Sequence, residues 1–232
     1  MAAPSSFVDQ QRLWDSLQAM ARFGATAAGG VNRQALSGED SAAQAEFVRW
    51  GEALGLAASR DAVGNLFLRL PGSDVSAAPV LSGSHLDSQP TGGRFDGVYG
   101  VLAAFEAVRA IRAAGIAPRR AIDVVSWMNE EGSRFAPGMM GSAVFAGART
   151  LDETLAVRDA QGIGVGEALA VQTAALGHVP LRPLGGAVHA YVEAHIEQGP
   201  VLEREGFPVG VVTGIQGKHT FRIEVQGEAA HA

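Results

Sequence analysis

Four short polar strings interrupt an otherwise apolar chain where side chains could do chemistry: His85 and Asp87 in GSHLDS, Asp96 in GRFDG, Glu130 and Glu131 in NEEG, and His195 in HIEQGP. The chain contains no cysteine, which excludes disulfides and thiolate ligands and leaves His, Asp and Glu as the strong metal ligands. Hard and borderline divalent cations take imidazole and carboxylate ligands. Two such ions about 3.5 to 4 Å apart need a carboxylate that bridges them, and Asp96, followed by Gly97 at a helix start, suits the bridge. Each string also has a plainer explanation. A His and an Asp two apart in a loop often make a local hydrogen-bonded pair, and an Asp ahead of a helix is an ordinary N-cap. Glu130 and Glu131 would then sit in a solvated loop, and His195, ending an apolar strand, would be a satisfied core histidine. What favours chemistry is that all four fall just after strands or at a helix start, since ligands of open α/β sheets gather at the carboxyl ends of strands.

Periodicity identifies the elements that must position these strings. Leu13, Leu17, Met20 and Ala21 recur at helical spacing behind Asp9, and Phe47, Gly51 and Leu54 do so behind the polar stretch Ser37 to Ser41, predicting two amphipathic helices. Leu66, Leu68 and Leu70 alternate with Asn65, Phe67 and Arg69 before Pro71-Gly72, a strand closed by a turn. Pro79 to Gly83 reads as a short buried strand, Val98 to Arg112 as a helix stopping near Gly115 and Pro118, and Ala121 to Trp127 as a second buried strand. This strand, helix, strand order predicts a right-handed crossover between neighbouring parallel strands.

Gly138 to Ala175 predicts two or three short helices, joined around Thr150 to Asp152 and Asp159 to Gly164. Ala187 to His195 predicts a strand with Val188, Ala190, Val192 and Ala194 on one face and His189, Tyr191, Glu193 and His195 on the other. Pro208 to Gly214 and His219 to Gln226 predict two further strands around a turn at Gly217. The expected fold is α/β, a mixed, largely parallel sheet covered by helices, followed by the start of a small α+β lid domain.

With 232 residues, 47% apolar and 18% charged, the chain has the composition of a globular protein rather than a disordered one. The formal charge of −6 offers no basic field for releasing counterions from phosphates, so nucleic acid is a poor partner and a small molecule a better one. The N-terminal segment carries acids and amides where a secretory signal needs a basic start and an unbroken apolar run, which predicts a cytoplasmic protein. No stretch approaches the roughly 20 apolar residues of a membrane span, and neither an internal repeat nor a low-complexity tract is present.

GSHLDSQPTGGRFDGVYGVLA, MNEEGSRFAPGMMGS and VEAHIEQGPVLE, in that order, closely resemble the N-carbamoyl-L-amino-acid hydrolase and allantoate amidohydrolase branch of the zinc-dependent exopeptidase and amidase superfamily. The resemblance covers nearly the whole chain. It implies a zinc-exopeptidase-like fold and two divalent ions (Zn, Mn, Co or Ni), with His85 on one metal, Asp96 bridging both, and Glu131 and His195 on one each. It further implies that Glu130 is the general base toward the attacking water, that Asp87 holds the His85 imidazole, that Gln198 faces the substrate, and that His231 is a lid histidine stabilising the oxyanion.

The implied reaction is hydrolysis of a linear C–N amide bond in a ureido compound by a homodimer. N-carbamoyl amino acids, allantoate, ureidoglycolate and 3-ureidopropionate all remain open as substrates. An aminoacylase- or dipeptidase-like hydrolase is the alternative within the enzyme class, against which HIEQGP argues; a non-catalytic truncated remnant is the alternative outside it. By the same resemblance residues 1–212 are expected to form an incomplete catalytic domain and 213–232 the beginning of a truncated lid. A final His ligand and the Asn and Arg that bind the substrate carboxylate would lie beyond them.

Overall fold

The computed structural model describes residues 2–217, 221 and 223–228. The chain divides into two compact units, Met1–Ile196 and Glu197–Ala232. In the first, a short 3-10 turn at Pro4–Phe7 precedes α1 (Gln10–Met20) and α2 (Gly38–Ala53). Both helices begin where the sequence supplies an acceptor: the Asp9 side chain takes the Arg12 N–H, and Ser37 takes the Asp40 N–H. There follow β1 (Ala57–Arg60), β2 (Leu66–Leu70), β3 (Val80–His85), α3 (Val98–Ala113), β4 (Ile122–Trp127), α4 (Met140–Phe145), α5 (Leu151–Leu155), α6 (Val165–Ala175) and β5 (Ala190–Val192).

The sheet order is β1-β2-β4-β3-β5. β3 lies parallel to β4 and to β5, whereas β2 is antiparallel to both of its neighbours. Four strands therefore run one way and β2 alone runs against them, the mixed, largely parallel sheet expected. The β3, α3, β4 crossover makes adjacent strands in register, with Val80 opposite Ile122 and His85 opposite Trp127. Both strands end together, so the strings that follow them emerge side by side.

Within the first unit, two elements differ from expectation. β1 has no apolar alternation of its own, and its order comes from pairing with β2, Ala57 opposite Arg69 through Arg60 opposite Leu66. The strand expected over Ala187 to His195 is laddered only at Ala190–Val192, against Val80 to Ser82. It is an edge strand, exposed throughout.

Leu66, Leu68, Leu70 and Val124 face a core shared with Leu17, Met20, Phe47, Leu102 and Phe105 of α1 to α3. Phe67, Leu81, Val125 and Trp127 form a smaller cluster on the other face, with Phe145 of α4 packed against it. A third cluster, including Met128, Phe135, Met140, Val144 and Val165, fixes the segment after β4 beneath α4 and α6.

Within β4, the fully buried Asp123 carboxylate accepts both arms of the Arg69 guanidinium at 2.6 and 2.7 Å and a third bond from Arg182 at 3.1 Å. Asp123→Ala is expected to lower unfolding free energy by about 2–4 kcal/mol, somewhat below a fully buried pair because Arg69 reaches solvent. Urea denaturation measures this, and a loss under about 0.5 kcal/mol would mean that the cluster contributes nothing net.

In the second unit the short helix α7 (Val201–Glu205) starts on the Glu197 carboxylate, which accepts the Val201 and Leu202 N–H groups at 2.9 and 3.0 Å, and ends at Gly206 with φ 72°. The strand expected over 208–214 is absent: these residues are exposed and without regular structure. The described residues of 219–226 likewise form no strand, and His219, Thr220 and Arg222 lie outside the described residues. Alternation makes a strand only against a partner ladder, and none pairs with these residues among those described. No helix among the described residues is long and apolar enough to cross a membrane.

Candidate active site

β3 delivers His85 at its last position, 2% exposed. Its Nδ1 lies 2.8 Å from the backbone carbonyl of Asp87 and 3.6 Å from the Asp87 carboxylate. Nε2 is thereby directed to Glu130, whose Oε2 is 3.4 Å away. Gly97, the N-cap of α3, permits this placement. At φ 66° a Cβ there would stand 2.4 Å from the ring's Nε2 and Cε1, so the backbone at the helix start lies against the imidazole face. The plain N-cap role considered for Asp96 falls to Gly97. Asp96 instead brings Oδ1 to 3.3 Å from His195 Nε2.

Asp87 does more than hold an imidazole. Its buried carboxylate accepts the Glu130 and Glu131 N–H groups, each at 3.2 Å, tying the loop after β4 to the loop after β3. That loop turns through Asn129 at φ 50°, a conformation asparagine tolerates better than most residues. The Asn129 amide donates to the Phe135 carbonyl at 2.7 Å, and the Met139 N–H closes the turn on the Glu130 carbonyl at 2.7 Å. Gln89, which sequence reasoning passed over, donates its side-chain amide to the Glu131 carboxylate at 2.8 Å. Its signal was proximity, two residues beyond Asp87 in the same string. Glu193 was also missed, although it shares the strand face of His195; it accepts the Ser84 hydroxyl at 2.5 Å and the Tyr191 hydroxyl at 2.7 Å.

The electrostatics follow from burial and crowding. Burial pushes the Asp87 carboxyl up to about 7, against the pull of His85. Burial also raises the Glu130 carboxyl; His85 draws it back, and Glu131, Asp96 and Glu193 add to the rise. For His85, burial opposes the charged ring, but Asp87 and Glu130 outweigh it and the imidazole pKa is raised.

Sequence reasoning placed His85, Asp96, Glu131 and His195 in one ligand cluster. The structure instead holds two imidazole and carboxylate pairs, His85 with Glu130 and His195 with Asp96, while the Glu131 carboxylate turns to Gln89. Among the described residues no group of three or more His, Asp and Glu side chains stands ready to hold a metal. Carboxylates repel at short range, which favours the amide partner for Glu131. The donor set still suits a divalent cation, being imidazole and carboxylate throughout, with a crowding of negative charge around Glu130 that a cation relieves. Gln198 belongs to the second unit, in a left-handed conformation at φ 54°. His231 lies outside the described residues.

A hollow of ≈ 350 Å³ opens beside Glu130 and is lined by Trp127, Phe145 and Tyr191 among others. A larger one of ≈ 750 Å³, between α1 and the start of α3, is lined by none of the acidic or imidazole side chains.

The sequence profile of Peptidase family M20/M25/M40 matches residues 81–231, a span that contains all of these groups. The chain belongs to this family. Among curated relatives it is 46% identical to an N-carbamoyl-L-amino-acid amidohydrolase of Rhizobium meliloti, over 100% of this chain and 55% of that protein. It is 38% identical to an allantoate amidohydrolase of Escherichia coli, over 96% of this chain and 54% of that protein. Among solved structures, a hydantoinase/carbamoylase family amidase from Burkholderia ambifaria superposes with a TM-score of 0.82 at 57% identity, over 86% of this chain and 48% of that one. The chain spans about half the length of the curated relatives it matches.

Proposed function

We propose that this member of the M20/M25/M40 family acts in a metal-dependent amidohydrolase that cleaves a linear C–N amide bond of a ureido compound. The observation that carries this reading is the presence, beyond the strand ends, of two imidazole and carboxylate pairs, His85 with Glu130 and His195 with Asp96, near enough for Asp96 to help raise the Glu130 carboxyl. The names of the relatives, a carbamoyl-amino-acid hydrolase and an allantoate hydrolase, support the same substrate class. His85, Asp96, Glu131 and His195 would hold two divalent ions, with zinc, manganese, cobalt and nickel as candidates. Such ions, when bound, supply Lewis acidity toward the carbonyl and the attacking water.

The remaining work falls to the chain's own groups. Glu130 Oε2 accepts the proton of the attacking water, and its raised pKa makes it able to return that proton to the leaving nitrogen. Asp87 keeps Glu130 in place through the two backbone N–H groups it accepts, and its carbonyl fixes the His85 ring. Gln198 as a substrate contact, His231 as an oxyanion donor, a homodimer and a cytoplasmic location complete the reading. Its test is ammonia release from N-carbamoyl amino acids, allantoate, ureidoglycolate and 3-ureidopropionate, with each metal and with chelator. Hydrolysis of N-acyl amino acids or dipeptides in place of every ureido compound would overturn it.

A pH dependence follows. Asp87, Glu130 and His85 all have raised folded values, so the metal-free native state binds more protons than the unfolded one. The contribution of the two carboxyls is full below the ordinary carboxylate value of about 4 and is lost as pH rises through their raised values, about 7 for Asp87, whereas that of His85 is full below about 6.5 and is lost above it. A cation displaces those protons, so the rise in Tm on adding zinc or manganese is expected to grow from pH 5 to pH 8. Melting curves with metal and with chelator measure it, and a metal-induced shift independent of pH would contradict the assignment.

A further inference from the structure

We propose that the hollow beside Glu130 is a side-chain pocket selecting N-carbamoyl amino acids with a bulky apolar side chain; this rests on the ureido-hydrolase reading above. Its walls are Leu81, Trp127, Met139, Phe145, Val188 and Tyr191. The Trp127 and Phe145 ring centroids are 5.2 Å apart, and those of Trp127 and Tyr191 6.0 Å. These rings come from β4, α4 and β5, and together they make a concave aromatic wall that ends at the Glu130 carboxylate. At ≈ 350 Å³ the hollow lies at the small end of ligand sites, about 300–1,000 Å³, and has room for even the largest side chain.

The polar groups in these walls are occupied with one another. The Trp127 indole N–H donates to the Tyr191 oxygen at 3.0 Å, and the Tyr191 hydroxyl faces the Gly83 carbonyl at 3.0 Å and Glu193 at 2.7 Å. The Ser84 hydroxyl donates to the other Glu193 oxygen. The Ser142 hydroxyl, which also lines the hollow, donates to the Met139 carbonyl at 3.2 Å, so what remains on offer is mainly ring face and aliphatic surface, with Glu130 as the polar edge where the reaction would occur. A second ureido group, as in allantoate, would replace few of the bonds it makes to water against these ring faces, a costly exchange. A glycine derivative would leave the rings wet. A branched or aromatic side chain fills the space and removes apolar surface from water.

Calorimetric titration of the Glu130→Gln protein with N-carbamoyl-L-phenylalanine, N-carbamoyl-L-leucine and N-carbamoylglycine tests the pocket without turnover. The bulky ligands are expected to bind at least about tenfold more tightly than the glycine derivative. Ala146→Trp, at an exposed position lining the hollow, should remove that preference while leaving N-carbamoylglycine within about twofold. Equal affinities, binding of none of the three, or an equal loss for all with Ala146→Trp would each overturn the pocket. Ammonia release by the unaltered protein separates the two claims. A binding preference with no ureido hydrolysis keeps the pocket and removes the ureido reading; hydrolysis without a preference does the reverse.

Discussion

Replacing Glu130 with Gln is expected to lower kcat by about 10²–10⁴-fold while leaving metal content unchanged, because it removes the proton acceptor and preserves the shape of the side chain. The backbone around it is held independently of its carboxylate, since the Glu130 N–H is bound by Asp87 and its carbonyl by the Met139 N–H. The variant should therefore fold as the unaltered protein does. Glu131→Gln provides the contrast. If Glu131 is a ligand, its loss should lower metal occupancy first and activity as a consequence. Metal content measured alongside kcat distinguishes the two, and equal loss of metal in both variants would show that base and ligand have been wrongly separated.

Gly97→Ala is expected to lower metal affinity by about a hundredfold and to abolish activity at ordinary metal concentrations. Two effects add. An alanine at φ 66° and ψ −51°, a strained γ-turn conformation outside the left-handed helical well, costs about 1–3 kcal/mol by itself, and its Cβ would stand 2.4 Å from Nε2 of His85. The ring has little room to retreat, being buried and held at Nδ1 by the Asp87 carbonyl. Gly115→Ala is a control for a positive φ without a steric clash, because Gly115 has φ 68° but nothing within 4 Å of the added carbon. It should lose stability alone and keep its metal affinity. If chelator competition gave Gly97→Ala the affinity of the unaltered protein, the imidazole would not be the group this helix start accommodates.

What the sequence determined by itself is local. The caps at Asp9 and Ser37, the Leu66, Leu68 and Leu70 alternation, and the strand, helix, strand run from Val80 to Trp127 all rest on contacts between residues near in sequence or on one-face periodicity, so they were legible in advance. The chemistry of the polar strings was legible too, since residue type sets what a side chain can bind. Tertiary structure decided which groups met. The register of β3 with β4 puts Asp87 beneath the Glu130 and Glu131 N–H groups, and crowding among carboxylates leaves Glu131 with Gln89. β1 exists because β2 lies beside it, while the strand signal at 208–214 has no partner among the described residues and stays irregular. The aromatic wall beside Glu130 joins residues 127, 145 and 191 from three elements. No periodicity encodes such a meeting; long-range packing, which brings β4, β5 and α4 together, creates it.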